Sequence, residues 1–399
     1  MVGALVLSGG PPALGVVRSL GRHGIPVWAV LGKADYKLAG LSRYCARMLY
    51  WPESSQQRQI EFLLDLGEHQ RLDGWVLFAM DDQRAALIAR NHDMLARRFR
   101  VPPPPWEVMR WAYDKRLTYQ LATELSLDHP CTFYPRNRQE VSSLECKFPV
   151  ILKPTCKEFV NDFTVARAWL AKNQTALLER YDEALRLVDP SNVIIQELIA
   201  GGNEYQFSYA GLHDRGQRIA SLVAQRKRQY PVDFGRGSSY VETVESMEIE
   251  IAAGRLLEAM SYSGLVEVEF KYDPRDHRYK LLDVNPRVWS WITLGSQAGV
   301  DFPYLLWRWM QNQTVEQARG RSGVKWVRMI RDMPAAWNEM RRGYLSPSTY
   351  VRSLADVSEF AVFAKDDPLP ALAEIPLLIT SKCFSRGLWS SRNPRRFYE

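Results

Sequence analysis

The spacing of hydrophobic residues predicts a parallel α/β domain at the start of the chain. Between two short apolar runs, Leu14, Val17 and Leu20 lie at helical spacing, and Gly24 ends this pattern. A strand, a glycine-containing turn, a helix and a second strand in this order predict a βαβ unit, and hence a parallel sheet. The apolar runs that predict strands are residues 4–8, 26–30 and 75–79.

Four consecutive prolines at 102–105 can continue neither a helix nor a central strand, so they predict the end of the first domain. We therefore predict an α/β protein of three parts. These are an N-terminal parallel α/β domain (1–105), a central domain of strands and helices (106–310) and a helical, tryptophan-rich C-terminal extension (311–399). Within the central domain, helices are predicted at 106–125, 164–172, 176–188 and 248–262, and strands at 148–154, 193–197, 206–210 and 219–223.

Residues 264–287 predict two strands joined by a turn. Side-chain alternation puts Glu267 and Glu269 on one face of the first strand. The turn position then places Glu269 opposite Asp283, and Glu267 opposite Asn285. The corresponding face of the second strand is predicted to consist of Leu281, Asp283, Asn285 and Arg287.

The predicted hairpin opposes acidic side chains directly, which normally lowers stability because like charges repel. A bound divalent cation removes this repulsion, and carboxylate and amide oxygens suit a hard ion such as Mg²⁺. An exposed polar face would show the same alternation. The apolar residues Leu265 and Leu281 favour the metal site over a fully solvated face.

Composition and charge limit the classes of function. The 399 residues are 46% hydrophobic and 24% charged, as in an ordinary globular protein of two or three domains. The net charge of +7 favours anionic ligands. Because the basic residues form no stripe interleaved with aromatic residues, we expect no nucleic-acid partner. Five cysteines without a C-x-x-C pair indicate a reducing, cytoplasmic compartment.

The sequence predicts no transmembrane segment and no signal peptide. No apolar run reaches the ~18 residues of a membrane span, and the first residues lack a basic start. Peripheral contact with a membrane stays open because the C-terminal region combines tryptophans with basic residues. Packing of those tryptophans in a helical core is the favoured interpretation. The basic residues of the tail are Arg386, Arg392, Arg395 and Arg396.

Three motifs follow one another between residues 115 and 287. Lys153 ends the apolar strand PVILKP, residues 193–205 read VIIQELIAGGNEY, and residues 283–287 read DVNPR. Together with Lys115 at a predicted helix start, these motifs resemble the ATP-grasp superfamily, of the carboxylate–amine ligase type. By this resemblance, the central domain would be a two-subdomain ATP-grasp fold divided near residue 200.

The resemblance implies ATP and Mg²⁺ (or Mn²⁺) as cofactors and gives roles to individual residues. Lys115 and Lys153 would bind the phosphates as point charges. Asp283 is one methylene shorter than the Glu usual in the family, which leaves the number of metal ions open. The implied metal ligands are Glu269, Asp283 and Asn285, with Glu267 as an alternative first ligand.

The resemblance also implies a nucleotide hinge at the end of the strand 193–197. Glu197 and the backbone of Leu198 would meet the adenine edge, and Glu204 the ribose hydroxyls. An ordinary strand end with a Gly-Gly turn is the alternative for this segment. Many family members then close a glycine- and serine-rich flap over the phosphates, but residues 155–164 contain no glycine. We therefore assign no phosphate contacts there.

The substrate side is predicted from residues 225–239, QRKRQYPVDFGRGSS. A run of charges is often a solvated loop, but its glycines permit close backbone approach and its arginines suit carboxylates or phosphates. We select Arg228 as a catalytic residue here, and the resemblance places Arg287 near the transferred phosphoryl group. Asp81 and Asp82 follow a predicted strand, where open α/β sheets bind ligands.

By resemblance, the reaction would be amide formation between a carboxylate and an amine. ATP would activate the carboxylate as an acyl phosphate, and ADP and phosphate would be released. The substrates would be small molecules or peptide-borne groups, and a homo-oligomer is compatible with the sequence. The alternatives are a catalytically silent ATP-binding regulatory protein and a ligase with a non-amine acceptor.

Overall fold

The computed structural model describes residues 1–52, 54–156, 161–166, 168–231 and 237–388, with side chains up to residue 379. Over these residues the chain is a mixed α/β protein built on three β-sheets. No helix in these ranges is long and apolar enough to cross a membrane. The arginines predicted for the C-terminal tail lie outside the described side chains.

The N-terminal sheet confirms the predicted parallel arrangement. Its elements are β1 (Ala4–Leu7), α1 (Pro11–Arg22), β2 (Val27–Leu31), β3 (Cys45–Tyr50), α2 (Gln56–His69), β4 (Val76–Ala79), α3 (Asp82–Arg90) and α4 (His92–Ala96). The strands run parallel in the order β3-β2-β1-β4. The sequence pattern does not predict β3, because this edge strand is largely exposed and its sequence CARMLY has no continuous apolar run.

Helix α1 forms where the sequence pattern predicts it. Pro11 and Pro12 occupy its first turn, where a missing N–H costs no helical hydrogen bond. Its inner side buries Leu14, Val17 and Leu20 completely against the sheet. Gly24, with a φ of 73°, follows its end in the left-handed conformation that glycine adopts readily.

A second, antiparallel sheet follows in the order β5-β8-β6-β7. This part of the chain comprises α5 (Trp106–Tyr113), α6 (Lys115–Glu124), β5 (Thr132–Phe133), α7 (Arg138–Ser142), β6 (Val150–Pro154), α8 (Asp162–Ala166), β7 (Trp169–Ala171), α9 (Gln174–Leu185) and β8 (Val193–Glu197). The helix predicted at 164–172 is wrong in its second half. Trp169 and Ala171 are buried and pair with β6, so tertiary pairing overrides the local helical pattern.

The third sheet is the largest and carries most of the candidate site. The elements from its first strand are β9 (Gln206–Asp214), β10 (Gln217–Gln229), β11 (Ser238–Val244), α10 (Met247–Ala259), β12 (Gly264–Asp273), β13 (Arg278–Asn285), α11 (Thr293–Gln297) and α12 (Phe302–Met310). Its strands follow the order β13-β12-β9-β10-β11, continued by β15 (Lys325–Val327) and β16 (Glu359–Phe360), with β14 (Ala318–Arg319) beside β10.

The described C-terminal region is helical, as expected, and also adds short strands to this sheet. Its elements are β14 (Ala318–Arg319), β15 (Lys325–Val327), α13 (Met329–Arg341), α14 (Pro347–Ala355), β16 (Glu359–Phe360) and α15 (Leu369–Leu388). The tryptophans pack unequally: Trp326 on β15 is buried, whereas Trp337 on α13 is 63% exposed.

The segment before α15 ties the C-terminal region to the N-terminal sheet. The Asp367 carboxylate accepts hydrogen bonds from Arg18 Nε at 2.9 Å, Ser42 Oγ at 2.7 Å and the Arg43 backbone N–H at 3.0 Å. Both Arg18 and Asp367 are almost fully buried, at 3% and 1% side-chain exposure. The adjacent Asp366 pairs with Arg22 at the surface. The sequence pattern gives this acidic turn no role, and the structure gives it an interdomain contact.

We expect Asp367→Asn to destabilise the protein far more than Asp366→Asn. Removing one partner of a buried ion pair costs about 3–5 kcal/mol because it leaves an uncompensated charge. The exposed pair of Asp366 should contribute no more than about 1 kcal/mol. Urea unfolding followed by circular dichroism compares the two midpoints, and equal midpoints would contradict a stabilising role for the Asp367 contact.

Candidate active site

A pocket of about 160 Å³ lies between the second sheet and the third. Strands β6 and β8 form one wall, and β9, β10, β12 and β13 form the other. Apolar side chains, including Ile151, Ile199 and Leu282, share the lining with charged ones. Such a mixed wall suits a ligand with an apolar planar part and an anionic part. The charged lining residues are Lys115, Lys153, Glu197, Arg226, Glu269, Lys271 and Asp283.

Lys153 reaches this pocket from the end of β6, as predicted. Its Nζ donates a hydrogen bond to Gln196 Oε1 at 3.0 Å, and Gln196 Nε2 donates to Thr132 Oγ1 at 2.9 Å. Burial and the nearby positive charge of Lys115 lower the pKa of Lys153 to about 8. Because Gln196 is a neutral amide, the positive charge of the Lys153 ammonium group can pair with an anionic ligand.

Lys115 also lines the pocket, at the start of α6. Its backbone N–H donates to Thr155 O at 3.1 Å, which joins α6 to the end of β6. Its Nζ forms an ion pair with Asp283 Oδ1 at 2.6 Å. The two lysines are therefore brought to one pocket, and Lys115 places a positive charge directly on a predicted metal ligand.

The hairpin register is confirmed at the predicted positions. Glu267 pairs with Asn285 and Glu269 pairs with Asp283 across β12 and β13. The amide of Asn285 joins the two acids, since its Nδ2 lies 3.3 Å from Glu267 Oε2 and 3.0 Å from Glu269 Oε1. The four oxygen-bearing side chains predicted from alternation thus lie together.

The predicted position of Leu281 on the same face as Asp283 is wrong. A β-bulge lies between Glu269 and Phe270, so the register changes by one residue toward the turn. Leu281 therefore packs in the core with Phe270 and Val284, while Leu282 lines the pocket. Alternation cannot foresee a bulge, because the inserted residue leaves no mark in the apolar pattern.

The two candidate acids on β12 occupy different environments. Glu269 lines the pocket, whereas Glu267 is 5% exposed and accepts a hydrogen bond from Trp291 Nε1 at 3.0 Å. Burial and the adjacent Glu269 carboxylate raise the pKa of Glu267 to about 7. Glu269 is therefore the better placed of the two for a ligand in the pocket.

Arg287 connects this acidic end to the N-terminal domain. Its Nε donates to Asp82 Oδ1 at 2.9 Å and its Nη2 donates to Asn285 Oδ1 at 3.0 Å. Burial alone would lower the pKa of Arg287, but the carboxylates of Asp82 and Glu267 raise it above its ordinary range. Asp82 was predicted as a ligand contact, and the structure gives it the role of holding this arginine.

Arg228, which was predicted to face the substrate, is not among the residues that line this pocket. Its guanidinium forms two hydrogen bonds with the Asp332 carboxylate, at 2.9 and 2.8 Å, and lies 4.2 Å from the ring centre of Tyr240. The pairing of β10 with β11 is irregular on both sides of Arg228. These irregularities break the alternation that would otherwise place Arg228 on the same face as Arg226.

Arg226 occupies the position that the sequence analysis gave to Arg228. It lines the pocket, and its Nη2 lies 3.6 Å from Glu269 Oε2. Its Nη1 donates to Gln206 Oε1 at 2.9 Å and its Nε donates to Ser238 Oγ at 3.0 Å. The run of basic residues predicted this site, but not which arginine faces it. Residues 232–236, which include Gly235 and Arg236 of the predicted substrate segment, lie outside the described part of the chain.

The predicted hinge residues are only partly directed at the pocket. Glu197 lines it, but its carboxylate also accepts from the Cys131 N–H at 3.0 Å and from Arg275 Nη2 at 3.1 Å. Leu198 lines the pocket and donates its N–H to Pro149 O at 3.3 Å. Glu204 is exposed and is not among the lining residues.

Lys271 is a pocket residue that the sequence analysis did not identify. Its Nζ donates to the carbonyl oxygens of Ile199 at 3.0 Å and Gly201 at 2.8 Å. Burial lowers the pKa of Lys271. It therefore fixes the backbone that follows β8. Its position two residues after Glu269 on β12 is the signal that could have found it.

The donor set fits a divalent cation that is shared with a phosphate ligand. Within the described ranges, no group of three His, Cys, Asp or Glu side chains is arranged to hold a metal ion by itself. Mg²⁺ commonly binds through one or two carboxylates and completes its shell with substrate phosphates and water. Glu269, Asp283 and Asn285 provide such a set, with Lys115 now occupying the cationic position beside Asp283. Residues 157–160 of the predicted flap region lie outside the described residues.

Solved structures share this fold at low sequence identity. The biotin carboxylase domain dimer of the Hydrogenobacter thermophilus 2-oxoglutarate carboxylase, in complex with MgADP, ADP and bicarbonate, superposes with a TM-score of 0.63 at 14% identity, covering 82% of this chain and 74% of that one. The L-amino acid ligase of Bacillus licheniformis gives a TM-score of 0.60 at 12% identity, covering 78% and 74%. These likenesses show the fold.

A family model described as "ATP-grasp in the biosynthetic pathway with Ter operon" matches residues 192–331, which contain the hinge and the hairpin. Over these residues the chain matches an ATP-grasp family, which confirms the resemblance predicted from the motifs. A D-aspartate ligase of Enterococcus faecium is 25% identical over 246 residues, which are 57% of this chain and 57% of that protein. The match thus spans little more than half the length of this relative.

We expect ATP binding to weaken above about pH 8, because only the protonated form of Lys153 attracts phosphate and its pKa is about 8. Affinity should be constant just below this pH and then fall by up to about tenfold per pH unit as the free protein loses this proton. Titration calorimetry between about pH 7 and 10 measures the profile.

Lys153→Arg provides the control for this profile, because a guanidinium keeps its charge over the whole range. The affinity of this variant for ATP should not change with pH above 8, whatever its absolute value. Coincident profiles for the wild type and Lys153→Arg would show that another group is responsible.

Proposed function

We propose that this ATP-grasp protein is an ATP-dependent carboxylate–amine ligase that forms an amide bond through an acyl phosphate. The observation that carries the proposal is the arrangement of one pocket. Two lysines from different elements, Lys115 and Lys153, line it together with the paired acids Glu269 and Asp283. Cations for phosphates and carboxylates for a metal are the charges that phosphoryl transfer from ATP requires.

The first step would be attack of a substrate carboxylate oxygen on the γ-phosphorus of ATP. A new O–P bond forms, the bond to the bridging oxygen of the β-phosphate breaks, and ADP leaves. Lys153 and Lys115 would neutralise phosphate charge, with Lys115 moving from Asp283 to the nucleotide. Mg²⁺ held by Glu269, Asp283 and Asn285 would supply further charge neutralisation at the phosphate oxygens.

The second step would be attack of an amine on the acyl carbon. The C–N bond forms, the C–O bond to phosphate breaks and the proton lost by the amine passes to the departing phosphate, so that an amide and inorganic phosphate result. Arg226 lines the pocket from β10, and Arg287 lies behind this lining, where it contacts Asn285 and Asp82. The planar guanidinium groups of both arginines suit oxyanions, so they are assigned to orienting the carboxylate and the transferred phosphoryl group.

The names of two similar proteins support a small-molecule substrate of the amino acid class. One of them is named a D-aspartate ligase and another an L-amino acid ligase. We therefore assign the acid and the amine to the amino acid class, free or peptide-borne. The proposal that ATP is turned over depends only on the residues of the pocket. It can therefore be tested separately from the identity of the acid and the amine.

The direct test is Mg²⁺-dependent ADP release over pools of amino acids and small carboxylates. Lys153→Ala and Asp283→Asn should each lower the rate by about 10²–10³-fold, the usual effect of removing one transition-state contact. Lys147→Ala, which removes an exposed lysine on a loop of the same subdomain, is the matched control and should keep full activity.

ADP release that requires one acid and one amine would establish the ligase. Release with an acid but no amine incorporated would indicate a different acceptor. ATP binding without ADP formation across all pools would contradict the proposal and favour a regulatory nucleotide-binding protein.

A further inference from the structure

Helix α15 has an apolar face that the described residues leave uncovered. The side chains of Leu369, Leu372, Ile375 and Ile379 are 53%, 73%, 62% and 59% exposed. Their spacing of three or four residues aligns them along one side of the helix. Single exposed apolar residues are common, but four in one row mark an interaction surface.

The opposite side of α15 is anchored, so the direction of this apolar face is fixed. Glu374 is 12% exposed and lies 3.6 Å from Arg328 Nη2, and the hydroxyl of Tyr36 donates to Glu374 O at 2.5 Å. Ala371 and Leu377 pack against the core that α1 shares with the large sheet. The helix thus presents its apolar row outward from a rigid base.

Charge distinguishes this segment from an ordinary hydrophobic surface. Residues 369–379 contain one charged residue, Glu374, and it faces inward. The following residues, 380–399, contain five basic residues and one acidic residue, together with four aromatic residues. The basic ones are Lys382, Arg386, Arg392, Arg395 and Arg396. An apolar helix face that continues into basic and aromatic sequence is the pattern of segments lying in the interface of a membrane.

We propose that α15 and the sequence after it dock this protein onto an anionic membrane surface. The apolar row would enter the boundary between headgroups and acyl chains, and the basic residues would attract anionic lipid headgroups. The helix would lie on the bilayer and not cross it, in agreement with the finding for the described helices. This proposal does not depend on the proposed ligase activity.

A second copy of the chain is the less favourable occupant of this face. A two-fold contact brings the same surface of both copies together. Because both copies present the same surface, pairing through α15 would supply only the same basic sequence and no acidic segment to complement it.

Co-sedimentation of the full chain with lipid vesicles tests the proposal. The protein should bind vesicles of phosphatidylcholine mixed with phosphatidylglycerol, bind pure phosphatidylcholine weakly, and dissociate as salt is raised. Leu372→Glu combined with Ile375→Glu should lower the bound fraction on anionic vesicles at least tenfold. Replacement of Arg392, Arg395 and Arg396 by glutamine should weaken binding and reduce its salt dependence.

Ile251→Glu is the matched control, because this isoleucine on α10 is 55% exposed and belongs to a different face of the large sheet. It should bind vesicles as the wild type does, and circular dichroism should show all variants folded. No binding of the wild type to anionic vesicles would overturn the proposal, as would equal loss in Ile251→Glu. A dimer in sedimentation equilibrium that Ile375→Glu dissociates, without vesicle binding, would assign the face to a second copy.

Discussion

Three carboxylates and one amide lie side by side on a β-hairpin, and the surrounding structure has to neutralise their charge. The register of β12 and β13 forces Glu267, Glu269 and Asp283 together, and partial burial prevents water from screening them fully. Cations therefore come from three directions: Lys115 from α6, Arg226 from β10 and Arg287 beside the N-terminal domain. Burial, and then the adjacent Glu269 carboxylate, raise the pKa of Glu267. The carboxylate and amide oxygens of this cluster are of the type that a hard divalent cation prefers.

The same electrostatic arrangement connects the candidate site to the remainder of the fold. Arg287 binds Asp82, so the acidic hairpin is held against the carboxyl end of the parallel sheet. Across the molecule, Asp367 holds the C-terminal region to α1 through Arg18. The Arg287–Asp82 pair thus joins the N-terminal sheet to the acidic hairpin, and the Arg18–Asp367 pair joins the C-terminal region to the same N-terminal part of the chain.

Strand pairs with strong alternation were predictable from the sequence, and their irregularities were not. The opposition of Glu269 to Asp283 follows from the period of two and the position of one turn, whereas a bulge moves Leu281 into the core. The irregular pairing of β10 with β11 also places Arg226 in the lining of the pocket and Arg228 outside it. Sequence alternation alone does not distinguish these two arginines. Lys271 follows Glu269 by two residues on β12, so alternation places it on the same face, but its hydrogen bonds to backbone carbonyls cannot be predicted from the sequence. The ATP-grasp fold was recognisable because its motifs combine residue types that a core or a solvated surface rarely requires together.

The formation of an acyl phosphate is the central claim, and the transfer of oxygen from acid to phosphate measures it directly. With ¹⁸O in both carboxylate oxygens of the acid that supports ADP release, mass spectrometry of the released phosphate should find one ¹⁸O atom per phosphate. This result follows because the carboxylate oxygen that attacks phosphorus leaves with it when the amine attacks carbon. Phosphate without ¹⁸O, formed while amide accumulates, would contradict the account.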